Sequence, residues 1–188
     1  MHKYFPTVYC FIDEFNTKEL IKINKSINII YRNYRKKTDI KILLLLKNYC
    51  RRKKQKIFLA NNFKLAKNLK LDGVYFPSFN KILNTKNISI PNNFEIIGSA
   101  HNLADIKIKE KQGCKIIFLA PIFKVKKKTN YLDVVNFNKL SIGINNKIIA
   151  LGGINSKNLK RLNLLKCDGY AGISWVKKNG LKVNSGRF

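Results

Sequence analysis

The residues best suited to chemistry are polar side chains that directly follow short β-branched runs of the sequence. Most of them are cations, hydroxyls or amides, and carboxylates are scarce. Cations and neutral donors stabilise a bound anion, whereas general-base catalysis by Asp or Glu needs a carboxylate. The pattern therefore indicates an anion-binding site built from Asp13, Arg32, Asn33, Tyr34, Asn61, Asn62, Ser78, Asn80, Ser99, His101, the run 124–128, Gly152, Gly153 and Ser174.

A pair of glycines, Gly152 and Gly153, follows the β-branched run 147–151. Glycine lets backbone N–H groups approach a phosphate closely, and a helix that starts nearby adds favourable N–H groups. We expect a phosphate to bind at this turn with help from Ser174. The alternative is a tight turn without a ligand. The following helix is predicted to run through Leu159, Leu162 and Leu165.

Eight short runs of β-branched and aromatic residues alternate with segments of helical periodicity, and these elements must position the polar side chains. Such alternation predicts parallel βαβ units. Eight units fit a single small (β/α)₈ TIM barrel over residues 1–188, in which the active site lies at the carboxyl ends of the strands. The predicted strands are 8–12, 27–31, 57–60, 73–76, 94–98, 115–119, 147–151 and 169–173.

An open, doubly wound sheet is the alternative fold. It needs a Gly-rich turn after its first strand, but Asp13, Glu14 and Phe15 stand there. The Gly-Gly turn instead follows the seventh strand, where barrels commonly bind phosphate. The clearest helix is predicted over 38–52, capped by Thr38 and Asp39, with an inward face made of Ile42, Leu45, Leu46 and Tyr49.

The chain carries 38 Lys and Arg against 10 Asp and Glu, a net charge of +28. Such a charge is typical of nucleic-acid binding. However, the lysines are spread along the chain, with dense runs only at 51–54 and 124–128, and abundant Lys, Ile and Asn indicate an AT-rich coding bias. Because clustering is the better footprint of a nucleic-acid surface, we favour coding bias. The positive field still favours phosphorylated small molecules as substrates.

Other classes of protein fit the composition poorly. The four cysteines are scattered without a CxxC pair, which argues against structural zinc. No apolar run approaches the ~18 residues of a membrane span, and Asp13 and Glu14 interrupt the only early apolar segment. We therefore expect a cytoplasmic protein that does not contact the membrane. The oligomeric state stays open, including a homo-oligomer.

Five blocks of the chain resemble the thiamine phosphate synthase and thiazole tautomerase superfamily. Their order and spacing agree with the family over nearly the whole chain. The first is similar to the family's LYLITD strand, the second to its ADGVHL strand, and the others to its SxH, PIF and GGI segments. The blocks are 8–13, 71–76, 99–102, 119–123 and 150–155.

This resemblance implies a (β/α)₈ barrel that joins hydroxymethylpyrimidine diphosphate to thiazole phosphate. Pyrophosphate leaves, a carbocation-like pyrimidine forms, and the thiazole nitrogen attacks it. In the family, Mg²⁺ bound to two Asp residues holds the pyrophosphate. The resemblance further implies that Lys128, Ser99 and Arg32 contact the pyrimidine diphosphate, while Gly152, Gly153 and Ser174 bind the thiazole phosphate.

The chain departs from the family at the metal. Asn61, or Asn62 with a shift of one place, falls where the family has its first magnesium Asp, and Asn80 falls near the second. Neutral amides are poor ligands for a hard dication, so Mg²⁺ is expected only by resemblance. Two alternatives to a synthase stay open. One is a metal-independent tautomerase-like isomerase that uses His101 as acid and base, and the other is a catalytically silent phosphate-binding homologue.

Overall fold

The computed structural model describes residues 7–36, 38–83, 89–125 and 130–172. Eight parallel strands pair in sequence order, and β8 pairs with β1, which closes the barrel. The predicted (β/α)₈ fold is confirmed. The strands are β1 Thr7–Ile12, β2 Ile27–Tyr31, β3 Ile57–Ala60, β4 Gly73–Phe76, β5 Glu95–Ala100, β6 Ile116–Leu119, β7 Lys147–Leu151 and β8 Gly169–Gly172.

Short helices connect most of these strands. Asn16, Asp39, Asn62 and Asn102 each accept a backbone N–H with the side chain and thereby start a helix, as short polar residues at N-caps commonly do. The helices are α1 Thr17–Leu20, α2 Ile40–Lys53, α3 Phe63–Asn68, α4 Leu103–Lys111, α5 Asp133–Ser141 and a 3₁₀ helix, Leu159–Leu164.

Two helical predictions need correction. The inward face of α2 contains Leu43, Leu46, Tyr49 and Cys50, whereas Leu45 is 51% exposed. In a run of four leucines, the periodicity alone does not determine which ones face the core. The segment after the Gly-Gly turn is a 3₁₀ helix with no fully buried residue, so it offers few aligned peptide dipoles to a phosphate.

Aromatic side chains fill the interior of the barrel. Successive residues of a strand point to opposite sides, so Tyr9 and Phe11 of β1 point inward while Val8 and Cys10 pack against the helices. Phe11, Tyr75 and Phe118 meet edge to face with ring centroids 5.2–6.2 Å apart. This aromatic layer closes the barrel near its carboxyl end and forms a floor for any site above it.

The described helices include none that is both long and apolar enough to cross a membrane.

Candidate functional site

A cavity of about 520 Å³ lies above the aromatic floor, at the carboxyl ends of the strands. We call it the mouth cavity. Its lining combines apolar walls with a few polar groups, which is typical of small-molecule sites. The polar and aromatic residues that line it are Arg32, Tyr34, Tyr75, Ser78, Phe79, Ser99 and His101, and Gly152 lies at its edge.

Arg32 is held by the aromatic floor. It follows β2, and its backbone N–H continues the pairing to β1 by donating to Ile12. The guanidinium lies 4.6 Å from the centre of the Phe11 ring, where the ring face attracts a cation. Arg32 takes part in none of the three ion pairs found among the described residues. Its charge is therefore available to an anion in the mouth cavity.

Ser99 belongs to β5 and is 5% exposed. It lines the mouth cavity beside Tyr75. Burial raises the pKa of Tyr75 to about 12, and hydrogen bonding with Ser99 partly opposes this rise. The Tyr75 phenol therefore stays neutral at physiological pH, and the floor presents hydroxyl groups to a ligand.

His101 has both ring nitrogens engaged. Its Nδ1 lies 2.5 Å from the Ala120 carbonyl oxygen, and its Nε2 lies 3.0 Å from Ser78 Oγ. A carbonyl oxygen only accepts hydrogen bonds, so Nδ1 must carry a proton. In the neutral ring Nε2 is then the basic nitrogen, and the Ser78 hydroxyl donates to it. This geometry suits transfer of a proton through Nε2.

Asp105 fixes the backbone at His101. Its Oδ2 accepts the His101 backbone N–H at 3.0 Å, while Oδ1 pairs with Lys81. Burial alone would raise the pKa of Asp105, but the hydrogen bonds from Lys81 and His101 outweigh burial and lower it. The ionised carboxylate thus anchors the residue at which β5 leads into α4.

Asn61 and Asn80 are brought together by the fold. The side-chain Nδ2 of Asn80 donates to Asn61 Oδ1 at 2.7 Å. Asn80 Oδ1 in turn accepts from the Ile82 backbone N–H and from Gln112 Nε2. Asn61 has a left-handed backbone with φ of +61°, a conformation that Asn tolerates better than most residues. The two amides bind each other at the place where the resemblance implies a metal.

These residues do not fit Mg²⁺. A magnesium site needs near-octahedral oxygen ligands and usually one or two carboxylates. Here the ligands on offer are neutral amide oxygens already occupied by N–H donors. In the described part of the chain, no three His, Cys, Asp or Glu side chains cluster in a way that could hold a metal ion.

The side chain of Asn62 has a different hydrogen-bond partner from that of Asn61. Its Oδ1 accepts the Leu65 backbone N–H at 3.0 Å and so caps α3, and the residue is exposed. Asn62 therefore makes a local structural contact. None of Asn61, Asn62 and Asn80 is among the residues that line the mouth cavity.

A buried lysine holds the loop that follows β4, residues 77–83, which we call the β4 loop. Lys109 of α4 is 0% exposed, and its Nζ donates to Pro77 O and Asn80 O at 2.8 Å and to Gln112 Oε1 at 2.9 Å. Burial lowers its pKa to about 8. Gly98 leaves the necessary room, because a Cβ there would come within 2.8 Å of Lys109 Cδ.

The sequence analysis did not identify Lys109 as part of the site. The signal is its position three residues after Ile106, on the inward face of α4 where an apolar residue is expected. Two of its three oxygen partners, Pro77 O and Asn80 O, belong to the β4 loop, while Ser78 and Phe79 of the same loop line the mouth cavity.

The Gly-Gly turn has left-handed backbone at both positions, with φ of +95° and +75°. A Cβ on Gly153 would lie 2.3 Å from Phe123 O, so close packing alone requires this glycine. Asn155 and Asn158 fix the turn by donating to Gly153 O at 3.1 Å and 2.8 Å. Gly152 borders the mouth cavity, which places its backbone within reach of a ligand.

Lys128 and Ser174 lie outside the described residues.

The sequence profile of the family described as thiamine monophosphate synthase matches residues 17–176. A putative thiamine-phosphate synthase 2 of Aquifex aeolicus is 29% identical over 161 residues, 84% of this chain and 75% of that protein. A thiamine-phosphate synthase of Prochlorococcus marinus strain AS9601 is 27% identical over 162 residues, 83% of this chain. That match spans only 42% of the relative, and a match to a second Prochlorococcus synthase spans 20% of it.

Among solved structures, thiamine phosphate pyrophosphorylase from Pyrococcus furiosus is similar in fold. Its TM-score is 0.74 at 16% sequence identity, with 96% of each chain covered. At this identity the likeness concerns the fold alone.

Proposed function

Because this chain belongs to the thiamine monophosphate synthase family, we propose that it forms thiamine phosphate. It joins hydroxymethylpyrimidine diphosphate to thiazole phosphate and releases pyrophosphate. The observation that carries this proposal is the mouth cavity, in which an unpaired Arg32 and the Ser99 hydroxyl stand over an aromatic floor. An apolar cavity with a cation accommodates a planar ring that carries a leaving anion.

The chemical task is to neutralise the charge that develops on the departing pyrophosphate. A preorganised cation in a partly dry cavity stabilises such charge strongly. We assign this task to Arg32, which the floor already orients, and to Lys128, as the resemblance implies. The pyrimidine cation that remains lies beside Tyr75, the floor residue that lines the mouth cavity, and the face of an aromatic ring favours positive charge. The thiazole nitrogen then attacks this cation.

The thiazole phosphate is assigned to the Gly152–Gly153 turn. The strongest support is that Gly152 borders the mouth cavity while Asn155 and Asn158 hold the turn in place. A prearranged turn exposes backbone N–H groups without further loss of entropy on binding. Because a 3₁₀ helix follows, the binding rests on these N–H groups and on Ser174 rather than on a helix dipole.

Since Asn61 and Asn80 bind each other and offer no carboxylate, we assign no step to Mg²⁺. The hydrogen bond from Asn80 Nδ2 to Asn61 Oδ1 joins the end of β3 to the β4 loop, whereas two facing carboxylates would need a cation or a proton between them. Charge neutralisation by protein cations is therefore part of the proposal.

A second candidate is a tautomerase-like isomerisation, and the hydrogen bonds of His101 favour it. An Nδ1–H fixed by Ala120 and a basic Nε2 shared with Ser78 form an arrangement suited to general acid–base catalysis. Transfer of a ring proton needs no metal and no leaving group.

Two single substitutions separate the reactions. For the synthase, Lys128→Ala should lower kcat/KM by about 10²–10³-fold, since one preorganised electrostatic group is lost, and His101→Ala should be mild. For the isomerase the order is reversed. Steady-state assays with each substrate set measure both. If both variants keep the parent rate, or if the parent turns over neither substrate set, the silent phosphate-binding homologue is the better account.

A further inference from the structure

A second cavity, of about 290 Å³, lies at the opposite end of the barrel. It is lined by the last turns of α2, by Ile57 at the start of β3, and by Asp72 immediately before β4. These are the amino-terminal ends of the strands, so the cavity faces away from the mouth cavity. We call it the basic pocket, because five cations line it, namely Lys47, Arg51, Lys54, Lys56 and Lys70.

The positive charge of the basic pocket is poorly compensated. Its only lining carboxylate, Asp72, accepts the Ile57 backbone N–H at 2.8 Å, and Lys56 pairs with Glu95 at 2.5 Å. The other four cations take part in none of the ion pairs found within the described ranges. The pKa of Lys47 is lowered by burial and then by the nearby charges of Arg51 and Lys70. Like charges therefore converge here, beyond the general excess of lysine along the chain.

Two of these lysines occupy unusual backbone positions. Lys54 and Lys70 have φ of +56° and +49° where the chain leaves α2 and α3. Glycine is the usual residue at such positions, and a side chain there costs about 1 kcal/mol. Both positions place a cation at the rim of the same cavity, and a bound anion would offset that cost.

Gln55 also lines the basic pocket, and one of its side-chain atoms lacks a hydrogen-bond partner. It is 6% exposed, and its Nε2 donates to Asn24 O at 3.0 Å and to Ile27 O at 2.7 Å. These two bonds fix the amide orientation. Its Oε1 is buried and has no hydrogen-bond partner within the described structure. A buried acceptor left unpaired is costly, but Oε1 is too enclosed to contact a ligand. The contribution of Gln55 to the basic pocket is therefore a side chain held in a fixed position.

We propose that the basic pocket binds a polyphosphate group, either as inorganic polyphosphate or as the phosphate chain of a nucleotide. Five cations against one carboxylate suit an anion with several negative charges better than a single phosphate. Its lining residues come from α2, from β3 and from the segments that precede β3 and β4, so the cations surround one compact space. This site is independent of the reaction proposed for the mouth cavity.

The test is calorimetric titration of the full chain with inorganic tripolyphosphate and, separately, with ATP. The pocket variant Lys47→Gln/Lys54→Gln/Lys70→Gln is compared with a control, Lys18→Gln/Lys107→Gln/Lys139→Gln, whose lysines are exposed and line neither cavity. Both triple variants lower the net charge equally. We expect the pocket variant to weaken tripolyphosphate binding by at least about tenfold and the control by less than about twofold.

Each result of these titrations either supports the proposed site or overturns it. Equal affinity for tripolyphosphate and ATP identifies the phosphate chain alone as the ligand, and tighter ATP binding identifies a nucleotide. Equal loss in both triple variants would show that the overall charge is responsible and would overturn the proposal. Three other results would also overturn it. The first is that the parent protein does not bind tripolyphosphate, and the second is that Arg32→Ala weakens binding while the pocket variant does not. The third is that the pocket variant loses affinity for duplex DNA but keeps its affinity for tripolyphosphate.

Discussion

Arg32 lines the mouth cavity with its guanidinium over the Phe11 ring, and this contact predicts that a lysine would replace it only in part. The guanidinium is planar and stacks on a ring, whereas an ammonium is a strongly hydrated point charge. We expect Arg32→Ala to lower kcat/KM by about 10²–10³-fold and Arg32→Lys to recover only part of this loss.

The measurement is steady-state formation of thiamine phosphate. Arg52→Ala, on the exposed side of α2, removes the same charge far from the mouth cavity and serves as the control. Equal losses in Arg32→Ala and Arg52→Ala would contradict a local role.

A further prediction concerns the hydrogen-bonded side chains of Asn61 and Asn80. In the double variant Asn61→Asp/Asn80→Asp, two carboxylates would stand at hydrogen-bonding distance, where they repel each other unless a cation or proton lies between them. We expect this variant to have a lower Tm than the parent in EDTA and to regain much of the loss in millimolar Mg²⁺. The parent Tm should be insensitive to Mg²⁺. Thermal unfolding followed by circular dichroism measures all four conditions, and a parent protein stabilised by Mg²⁺ would contradict the account.

Among the elements, α4 supports the site through Lys109, which donates to two carbonyl oxygens of the β4 loop. Burial lowers the pKa of Lys109 from 10.5 to about 8. Between these values the unfolded chain binds more protons than the folded one, so the free energy of unfolding rises with pH across this window and is level below it.

We expect the parent to gain about 2 kcal/mol of unfolding free energy relative to Lys109→Met between about pH 7.5 and pH 9.5. The comparison is between the two proteins because the raised pKa values of the buried Cys50 and Cys114 thiols change the stability of both in this window. Urea unfolding of both proteins at the two pH values measures it. Parallel pH dependence in the two proteins would mean that Lys109 is not the titrating group.

The Gly-Gly turn provides a second test at the scale of an element. Gly153 and Gly143 have nearly the same backbone, with φ of +75° and +76°, but a Cβ on Gly143 meets nothing within 4 Å, while one on Gly153 meets Phe123 O. Gly143→Ala should cost about 1 kcal/mol of stability and Gly153→Ala at least about 3 kcal/mol. Denaturant unfolding compares them, and equal costs would show that the turn yields easily to a side chain.

The sequence predicts the strands well because their inward and outward alternation and the polar residues at their ends are both local signals. Prediction from sequence fails where the burial or contacts of a residue depend on the element that packs against it. The four leucines of α2 cannot be distinguished by sequence, and packing against the barrel buries Leu43 and Leu46. The burial of Lys109 depends on the space that Gly98 leaves in β5. The contact of Asn61 likewise depends on Asn80, which is distant in the sequence, whereas Asn62 makes a local contact that caps α3.

In the whole molecule, the net charge and the local arrangement of cations have different effects. A net charge of +28 spread over the chain raises the encounter rate with anions, but it selects no site. Selection comes from the closed sheet, which brings Arg32, Ser99 and the Gly-Gly turn to one end and the five cations of the basic pocket to the other. The barrel scaffold is the one expected for a member of this family.

The central proposal for the whole molecule is that this barrel forms thiamine phosphate with protein cations in place of a carboxylate-bound metal. Purified protein is incubated with hydroxymethylpyrimidine diphosphate and thiazole phosphate, in EDTA and in Mg²⁺, and thiamine phosphate is quantified. We expect product in both conditions, with rates that agree within about threefold, because the site offers Mg²⁺ no carboxylate pair. Absence of product in both conditions, or product only with Mg²⁺, would contradict the account.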